Sequence, residues 1–329
     1  MNGYEDDVVA PAGHRPVMAG EVIRELITDP SGIYLDATIG GGGHAELILD
    51  RLHETGRLVG VDRDPDAISH TARRLERFGD RVILRHADFR ALAAVCEELG
   101  VGLISGALFD LGLSSRQLDD PARGFAYRLD GPLDLRFDTS QGSTAASWLA
   151  DASESELADA LREFGEERHA ARLARVIIAA RDRHDESITT TSQLAELIAR
   201  VVGARGVNFG RTAARVFQAL RIVTNDELAA IPVGLEAALA RLVPGGRFVV
   251  IAYHSLEDRL VKSLFREAAR ECRCPTALGR CVCGANPRAR LVHRRVLRPT
   301  AAEVARNPRA KAARLRVIER LPVRPGDRP

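Results

Sequence analysis

One run, Ile33-Tyr34-Leu35-Asp36-Ala37-Thr38-Ile39-Gly40-Gly41-Gly42-Gly43-His44, limits the fold of this chain more than any other. Ile33 and Leu35 alternate as on a strand, four glycines break the run, and residues 45–52 read as the helix that follows. Strand, glycine turn and helix bring bare backbone against a ligand at the carboxyl edge of an α/β sheet. A tight turn that serves no ligand has the same local pattern. Asp36 weighs toward a ligand, and toward a cationic one, because a carboxylate before the glycines would repel a pyrophosphate.

The same alternation continues to about residue 110. Residues 57–62 form a second strand ending in Asp62, and Asp64-Pro65 then cap and open a helix whose apolar face is Ala67, Ile68, Ala72 and Leu75. Residues 82–84 make a third strand, followed by Asp88-Phe89 and a helix over 91–99; residues 103–109 make a fourth strand, closed by Asp110. Repeated units of this length predict a parallel, doubly wound sheet. Asp36, Asp62, Asp88 and Asp110 all fall at strand ends, the ligand-binding edge of such a sheet. Asp62 stands about twenty residues past the glycines, where an acid reaches a ribose hydroxyl pair. A dinucleotide would satisfy that much. Asp36, and the acid-aromatic pair Asp88-Phe89, fit better with an adenosine that carries a positive sulfonium. Phe89 reads either as a ring on the adenine face or as a core aromatic opening a helix. S-adenosylmethionine is the better cofactor reading.

Asp110 to Ser115 follow the fourth strand, with Gln117 just beyond, at the edge where amino-directed methyltransferases hold an acid or amide that accepts the amine hydrogens. The N4 lone pair of cytosine is delocalised into its ring and is a poor nucleophile. An acceptor for the amino protons favours a tetrahedral nitrogen, and positioning supplies much of the rest.

With 329 residues, 45% hydrophobic and 28% charged, the chain has the composition of a globular protein of one large or two modest domains. No apolar run approaches the ~18 residues of a membrane span, and the acidic N-terminus lacks the order of a signal peptide; a cytoplasmic protein is expected. The net charge of +2 hides an asymmetry, because sixteen basic residues face four acids from Arg270 onward, leaving the first 269 residues net acidic. A basic C-terminal fifth on an acidic body is the footprint of a nucleic-acid-binding face, with Arg294, Arg295 and Arg298 as candidate substrate contacts, or else a solvated arginine-rich surface. Cys272, Cys274, Cys281 and Cys283 crowd within twelve positions. Their C-x-C spacing is tighter than the usual zinc pattern, and no metal is assigned.

Between the fourth strand and the next, over 247–252, helical periodicity recurs at 144–149, 154–164, 167–180, 193–202 and 212–223. The expected organisation is a discontinuous α/β domain, 1–118 and 226–329, with an inserted helical substrate-recognition domain over 119–225. Asp130 to Asp134 and Arg136 are candidate pocket-lining residues near its start. After the fifth strand, Tyr253-His254-Ser255-Leu256-Glu257-Asp258 is a polar cluster on the same edge as Asp110; His254 either orients substrate or caps the next helix. Residues 291–297 and 315–321 supply closing strands.

Several segments, in this order, carry a resemblance to a known family: DATIGGGGHAELIL, GVDRDPDAI, FDLGLSSRQLDDPARGFAYRLDGPLDLRFD, FGEERHAARLARVI, RTAARVFQALRI and AYHSLEDRLVK, with Asn307-Pro308-Arg309-Ala310-Lys311 near the end. The chain from His14 to Leu321 resembles the bacterial 16S ribosomal RNA cytosine-N4 methyltransferases, the MraW family. The resemblance implies a Rossmann-like class I methyltransferase with a seven-stranded, mostly parallel sheet. It further implies S-adenosylmethionine as donor and a decoding-centre cytosine of the small ribosomal subunit as substrate, for a monomer or homodimer. The implied cofactor contacts fall on Gly40, Gly42, Gly43, His44, Asp62, Phe89, Asp110 and Gln117. Asp110 is the first candidate for the catalytic acceptor, with His254 and Ser114 behind it. The general amino-methyltransferase signature follows the acid with two prolines and a stacking aromatic, whereas this chain has Leu111-Gly112-Leu113 there. A different nucleic-acid amino-methyltransferase, or a non-enzymatic assembly factor with a vestigial cofactor site, are the other readings.

Overall fold

The computed structural model describes residues 16–184, 187–204, 206–272, 274, 283 and 286–322. Cys281 and the C-terminal tail therefore lie outside the described residues. The chain divides into two compact units, Met1–Gly112 with Ala230–Pro329, and Leu113–Ala229.

The first unit runs α1 (Ala19–Leu26), β1 (Ile33–Asp36), α2 (Gly43–Leu49), β2 (Arg57–Asp62), α3 (Pro65–Arg74), β3 (Val82–His86), α4 (Leu92–Glu98) and β4 (Ile104–Asp110). The second unit carries α5 (Ser115–Asp119), α6 (Ala145–Asp151), α7 (Glu154–Glu163), α8 (Ala170–His184), α9 (Thr191–Val202) and α10 (Val207–Asn225). Then α11 (Glu227–Arg241) leads back to β5 (Leu242–Ala252), α12 (Ser255–Ala268), β6 (Ala289–Leu291), α13 (Ala301–Arg306) and β7 (Arg314–Arg320). The sheet has seven strands in the order β3-β2-β1-β4-β5-β7-β6. Strands β1 to β5 pair in parallel, while β7 is antiparallel to both β5 and β6. This is the Rossmann-like methyltransferase sheet, with one reversed strand.

Sequence explains the centre of that sheet. β4 is buried at every position but its last, as a strand covered on both faces must be. Leu108, Val249 and Ile251 join one apolar cluster with α1 and α2. Alternation sends Phe109 and Phe248 to the opposite face, where Phe89, Phe109, Phe248 and Phe265 form a row with ring centroids 5.4, 5.1 and 5.6 Å apart. Gly106 is needed on β4 because a Cβ there would lie 2.6 Å from Tyr34 Cε1. Tyr34 itself is fully buried, and its hydroxyl accepts from Thr28 and Asp29 N–H and donates to the Asp29 carbonyl. No polar atom is left stranded there.

Some expectations shift in the structure. The strand expected over 291–297 is only Ala289–Leu291, and Leu297 meets Leu315 in an isolated bridge. The chain turns off where His293 Nε2 reaches Glu25 Oε2 at 3.0 Å. The helix expected over 91–99 begins with a 3-10 turn, Phe89–Ala91, capped by the Asp88 side chain on Arg90 N–H. The second helix of the first unit starts two residues before 45, at Gly43, and α1 was not foreseen from the sequence.

The second unit is all helical around Leu157, Leu161, Leu173, Ile177, Leu194, Ile198, Val216 and Leu220. Ser153 with Glu156, and Thr190 with Gln193, form capping boxes at the starts of α7 and α9. Residues 130–136, expected to line a pocket, hold this unit together. Gly131 N–H donates to Thr191 Oγ1 and the Gly131 carbonyl accepts from Thr191 N–H, while Arg136 grips Asp134 through two bonds of 2.8 Å. Burial pulls the Asp134 carboxyl up, but those bonds outweigh it and hold the group below its ordinary value. Among the described residues no helix is long and apolar enough to cross a membrane.

Candidate active site

The glycine turn between β1 and α2 is built by conformation and then clamped by α3. Gly40 (φ 49°) and Gly42 (φ 74°) adopt left-handed backbone, which only glycine enters without strain. A Cβ on Gly42 would also meet Thr71 Cγ2 at 2.9 Å. Thr71 Oγ1 donates to the Gly40 carbonyl at 2.8 Å, and Arg74 donates to the Gly41 carbonyl at 2.9 Å while its other nitrogens hold Glu46. The turn therefore presents its backbone in one fixed shape.

Three carboxylates at the ends of β1, β2 and β4 gather around it. Asp36 is 1% exposed and accepts from Thr38 N–H. Burial, with further push from Asp110 and Asp62, raises its pKa to about 7, against a lowering influence of His44. Asp62 accepts from Gly40 N–H at 2.8 Å and from Asp64 N–H at 2.9 Å, which ties the second strand end to the turn. Burial lifts its pKa to about 6 in spite of those bonds. Asp110 is held by two hydrogen bonds and faces His44. Its N–H donates to Thr38 Oγ1 at 2.6 Å, its Oδ1 accepts from the Tyr253 hydroxyl at 2.8 Å, and its Oδ2 lies 3.5 Å from His44 Nε2. Burial first, then Asp110, keeps Tyr253 protonated, with a pKa well above 10.

This donor set fits the expected cofactor. Burial raises the pKa values of Asp36 and Asp62, with a smaller push on Asp36 from Asp110 and Asp62, and carboxylates so placed call for a cation, which a sulfonium supplies. Both ring nitrogens of His44 are buried without a hydrogen-bond partner, and a polar ligand group would satisfy one of them. Asp62 retains lone pairs for ribose hydroxyls beside its two backbone bonds.

Other expected site residues also carry structural contacts. Phe89 is half-buried in the aromatic row, against Phe109, and a Cβ on Gly234 would strike its ring at 2.5 Å. The structure thus gives it a core contact as well as its place at the edge. His254 caps α12; Glu257 Oε2 accepts from the N–H groups of Tyr253 and His254, and Glu257 Oε1 lies 3.0 Å from His254 Nε2. Ser114 and Gln117 belong to the second unit and form the capping box of α5. Arg294, Arg295 and Arg298 are exposed, and among the described residues none of them makes an ion pair. Sequence reasoning missed Tyr253, Thr38, Thr71 and Arg74. Only Tyr253 left a signal, as the first residue of the polar run after β5.

Strand order, glycine turn and converging acids define a class I S-adenosylmethionine-dependent methyltransferase. The model of the MraW methylase family matches residues 11–321. This chain belongs to that family. It is 47% identical over 308 residues to the ribosomal RNA small subunit methyltransferase H of Thermomicrobium roseum, covering 94% of both chains. It is 45% identical over 310 residues to the protein of that name in Heliobacterium modesticaldum, covering 94% of this chain and 98% of the relative. For the Geobacter sulfurreducens protein of that name the identity is 47% over 310 residues, covering 94% and 99%. Among solved structures, an rRNA methylase from Streptococcus thermophilus aligns over 92% of this chain and 94% of its own, at 12% identity and a TM-score of 0.41.

Proposed function

We propose that this chain transfers a methyl group from S-adenosylmethionine to the N4 amine of a decoding-centre cytosine of 16S rRNA, in the small ribosomal subunit. The names of its relatives support the RNA and the subunit. The chemistry rests on one observation, the partly exposed Asp110 held at the sheet edge by Thr38 and Tyr253, with His44 beside it. S-adenosylmethionine, when bound, supplies an electrophilic methyl on a sulfonium. Tyr253 occupies Oδ1 of Asp110, so Oδ2 is the oxygen that accepts a hydrogen from the target amine. That bond draws the nitrogen lone pair out of conjugation. A bound donor would supply the methyl carbon and depart as the neutral thioether, while Asp110 and solvent take the proton that the amine releases. His44, at 6% exposure, lies beside the carboxylate, 3.5 Å from Oδ2.

The second unit reads the substrate. Its helices form a cleft of about 410 Å³ lined by Arg168, Arg211 and Arg215 with Glu166, His169 and Asn208, and Arg215 also pairs with the buried Glu167 at 3.5 Å. A cluster of arginines around a polar cleft suits RNA phosphates, and an RNA inside a folded particle is recognised largely by shape and backbone. The reaction belongs to the cytoplasm, where subunits are assembled, with the enzyme acting as monomer or homodimer.

Labelled S-adenosylmethionine offered with naked rRNA, small subunits, mature ribosomes and DNA, followed by nucleoside analysis, tests this reading. N4-methylcytidine from small subunits is the expected product. Methylated adenine, methylation of DNA, or cofactor binding with no transfer would each replace it with another reading.

A further inference from the structure

The end of α12 and the start of β6 lie side by side. Arg270 N–H bonds to the Glu267 carbonyl as α12 ends, and Arg288 N–H bonds to the Ala268 carbonyl at 2.8 Å as the chain returns. Cys272 and Cys274 lie on the outgoing side and Cys283 on the incoming side. Their three sulfurs all lie within 4.8 Å of one another. The Cys272 and Cys283 sulfurs are 3.9 Å apart, and Cys274 N–H donates to Cys272 Sγ at 3.3 Å. None of the three is in a disulfide.

That spacing discriminates between chemistries. A disulfide needs sulfurs about 2.05 Å apart. Four thiolates at about 2.3 Å around a tetrahedral ion have neighbouring sulfurs roughly 3.8 Å apart, close to the separation seen between Cys272 and Cys283. A backbone N–H directed at a sulfur favours its thiolate. Exposure points the same way. Cysteine is among the most buried residue types, yet Cys272 and Cys283 are exposed and Cys274 half-exposed. Three thiols brought together at the surface from both arms of one connection are arranged as ligands, and soft thiolate sets select zinc over harder ions.

We propose that Cys272, Cys274 and Cys283 hold one zinc ion in a structural site that closes the connection from α12 to β6. The sequence carries a further thiol, Cys281, which lies outside the described residues and carries none of this inference. None of the three ligands belongs to the methyl-transfer site, so the role is structural. The ion ties the end of α12 to the start of β6, the last strand in the sheet order, and holds the chain that leads to Arg294, Arg295 and Arg298. Metal binding would add to the Arg288–Ala268 bond in meeting the closure entropy of this connection.

The test uses the full chain, purified without a histidine tag or chelator. Elemental analysis is expected to give one zinc per chain, released by a mercurial thiol reagent together with reaction of the cysteines. Cobalt exchanged into the site should show the intense visible bands of a tetrahedral thiolate complex. Cys272→Ser with Cys283→Ser should lose both the zinc and the cobalt spectrum while keeping S-adenosylmethionine affinity, whereas Cys96→Ser, at a buried thiol elsewhere, should keep the metal. A chain that contains no zinc and takes up no cobalt would overturn the proposal. So would a Cys272–Cys283 disulfide in protein isolated without air, or iron in place of zinc. Metal content and cobalt spectrum of the unaltered chain decide the matter even if the double variant does not fold.

Discussion

At the scale of single residues, the proposed function gives Asp62 and Asp110 separate roles at the sheet edge. Asp62→Ala removes a charge-assisted partner for the ribose, and should weaken S-adenosylmethionine binding by about 1.5–3 kcal/mol in calorimetry. Unchanged affinity would remove Asp62 from the site. Asp110→Ala should slow methyl transfer on the order of 10²-fold, beyond any loss of cofactor affinity. Single-turnover rates on small subunits at saturating cofactor separate the two effects, and full recovery there would pass the acceptor role to Ser114, Ser115 or His254. Titration supplies a third expectation. Asp36 and Asp62 have pKa values raised from 3.8 to about 7 and about 6, so the cofactor-free fold binds more protons than the unfolded chain between 3.8 and those values. Stability that is full below pH 3.8 is therefore lost as pH rises through about 7. A cationic ligand needs the ionised acids, so its affinity should rise with pH up to about 7 and then level off, by at most about tenfold per pH unit for each proton released. Calorimetry in buffers of different ionisation enthalpy counts those protons; a flat profile from pH 5 to 8 would contradict the acid cluster.

At the scale of elements, the glycine turn is a small structure with its own supports. Gly42→Ala places a side chain in left-handed backbone, against Thr71 Cγ2 at 2.9 Å. The expected cost is about 1–3 kcal/mol of stability, with weakened cofactor binding. Thermal unfolding equal to the unaltered chain would show that the turn rearranges freely. Much of this element was readable in advance. The strand, the glycines, Asp36, Asp62 and the Asp64-Pro65 cap follow local rules that a sequence displays. The clamps do not: Thr71 and Arg74 reach back about thirty positions from a helix whose polar spacing looks like any solvated surface. Tyr253 meets Asp110 only because β4 and β5 pair with Asp110 opposite Ile251. That register is set across the whole helical unit, and no pattern near either residue announces it. The shortened β6 has the same origin, since His293 is drawn off by Glu25 from the far end of the chain.

For the molecule as a whole, charge is spread over two surfaces, and they make separable predictions. Neutralising Arg168, Arg211 and Arg215 together should weaken binding to small subunits and reduce its salt dependence, by about 0.7–0.9 in the log–log slope for each phosphate that is no longer neutralised. Cofactor affinity should stay constant. The same experiment on Arg294, Arg295 and Arg298 asks whether the basic C-terminal region contributes too. A substrate affinity and salt slope unchanged in both triple variants would leave these arginines as solvated surface. The helical periodicity of the second unit was plain in the sequence, but its arginine cleft was not, because its walls come from the α7–α8 connection, the end of α9 and the start of α10.

The crowding of acids around the glycine turn also gives the catalytic cycle a direction. The donor enters with a positive sulfur and leaves as a neutral thioether, so the attraction that retains it disappears in the step that uses it. Asp36, left facing Asp62 and Asp110 without a counter-ion, then takes up a proton more readily or awaits the next cation. On the proposed function, turnover would weaken the hold on the spent molecule and restore the preference for a fresh one.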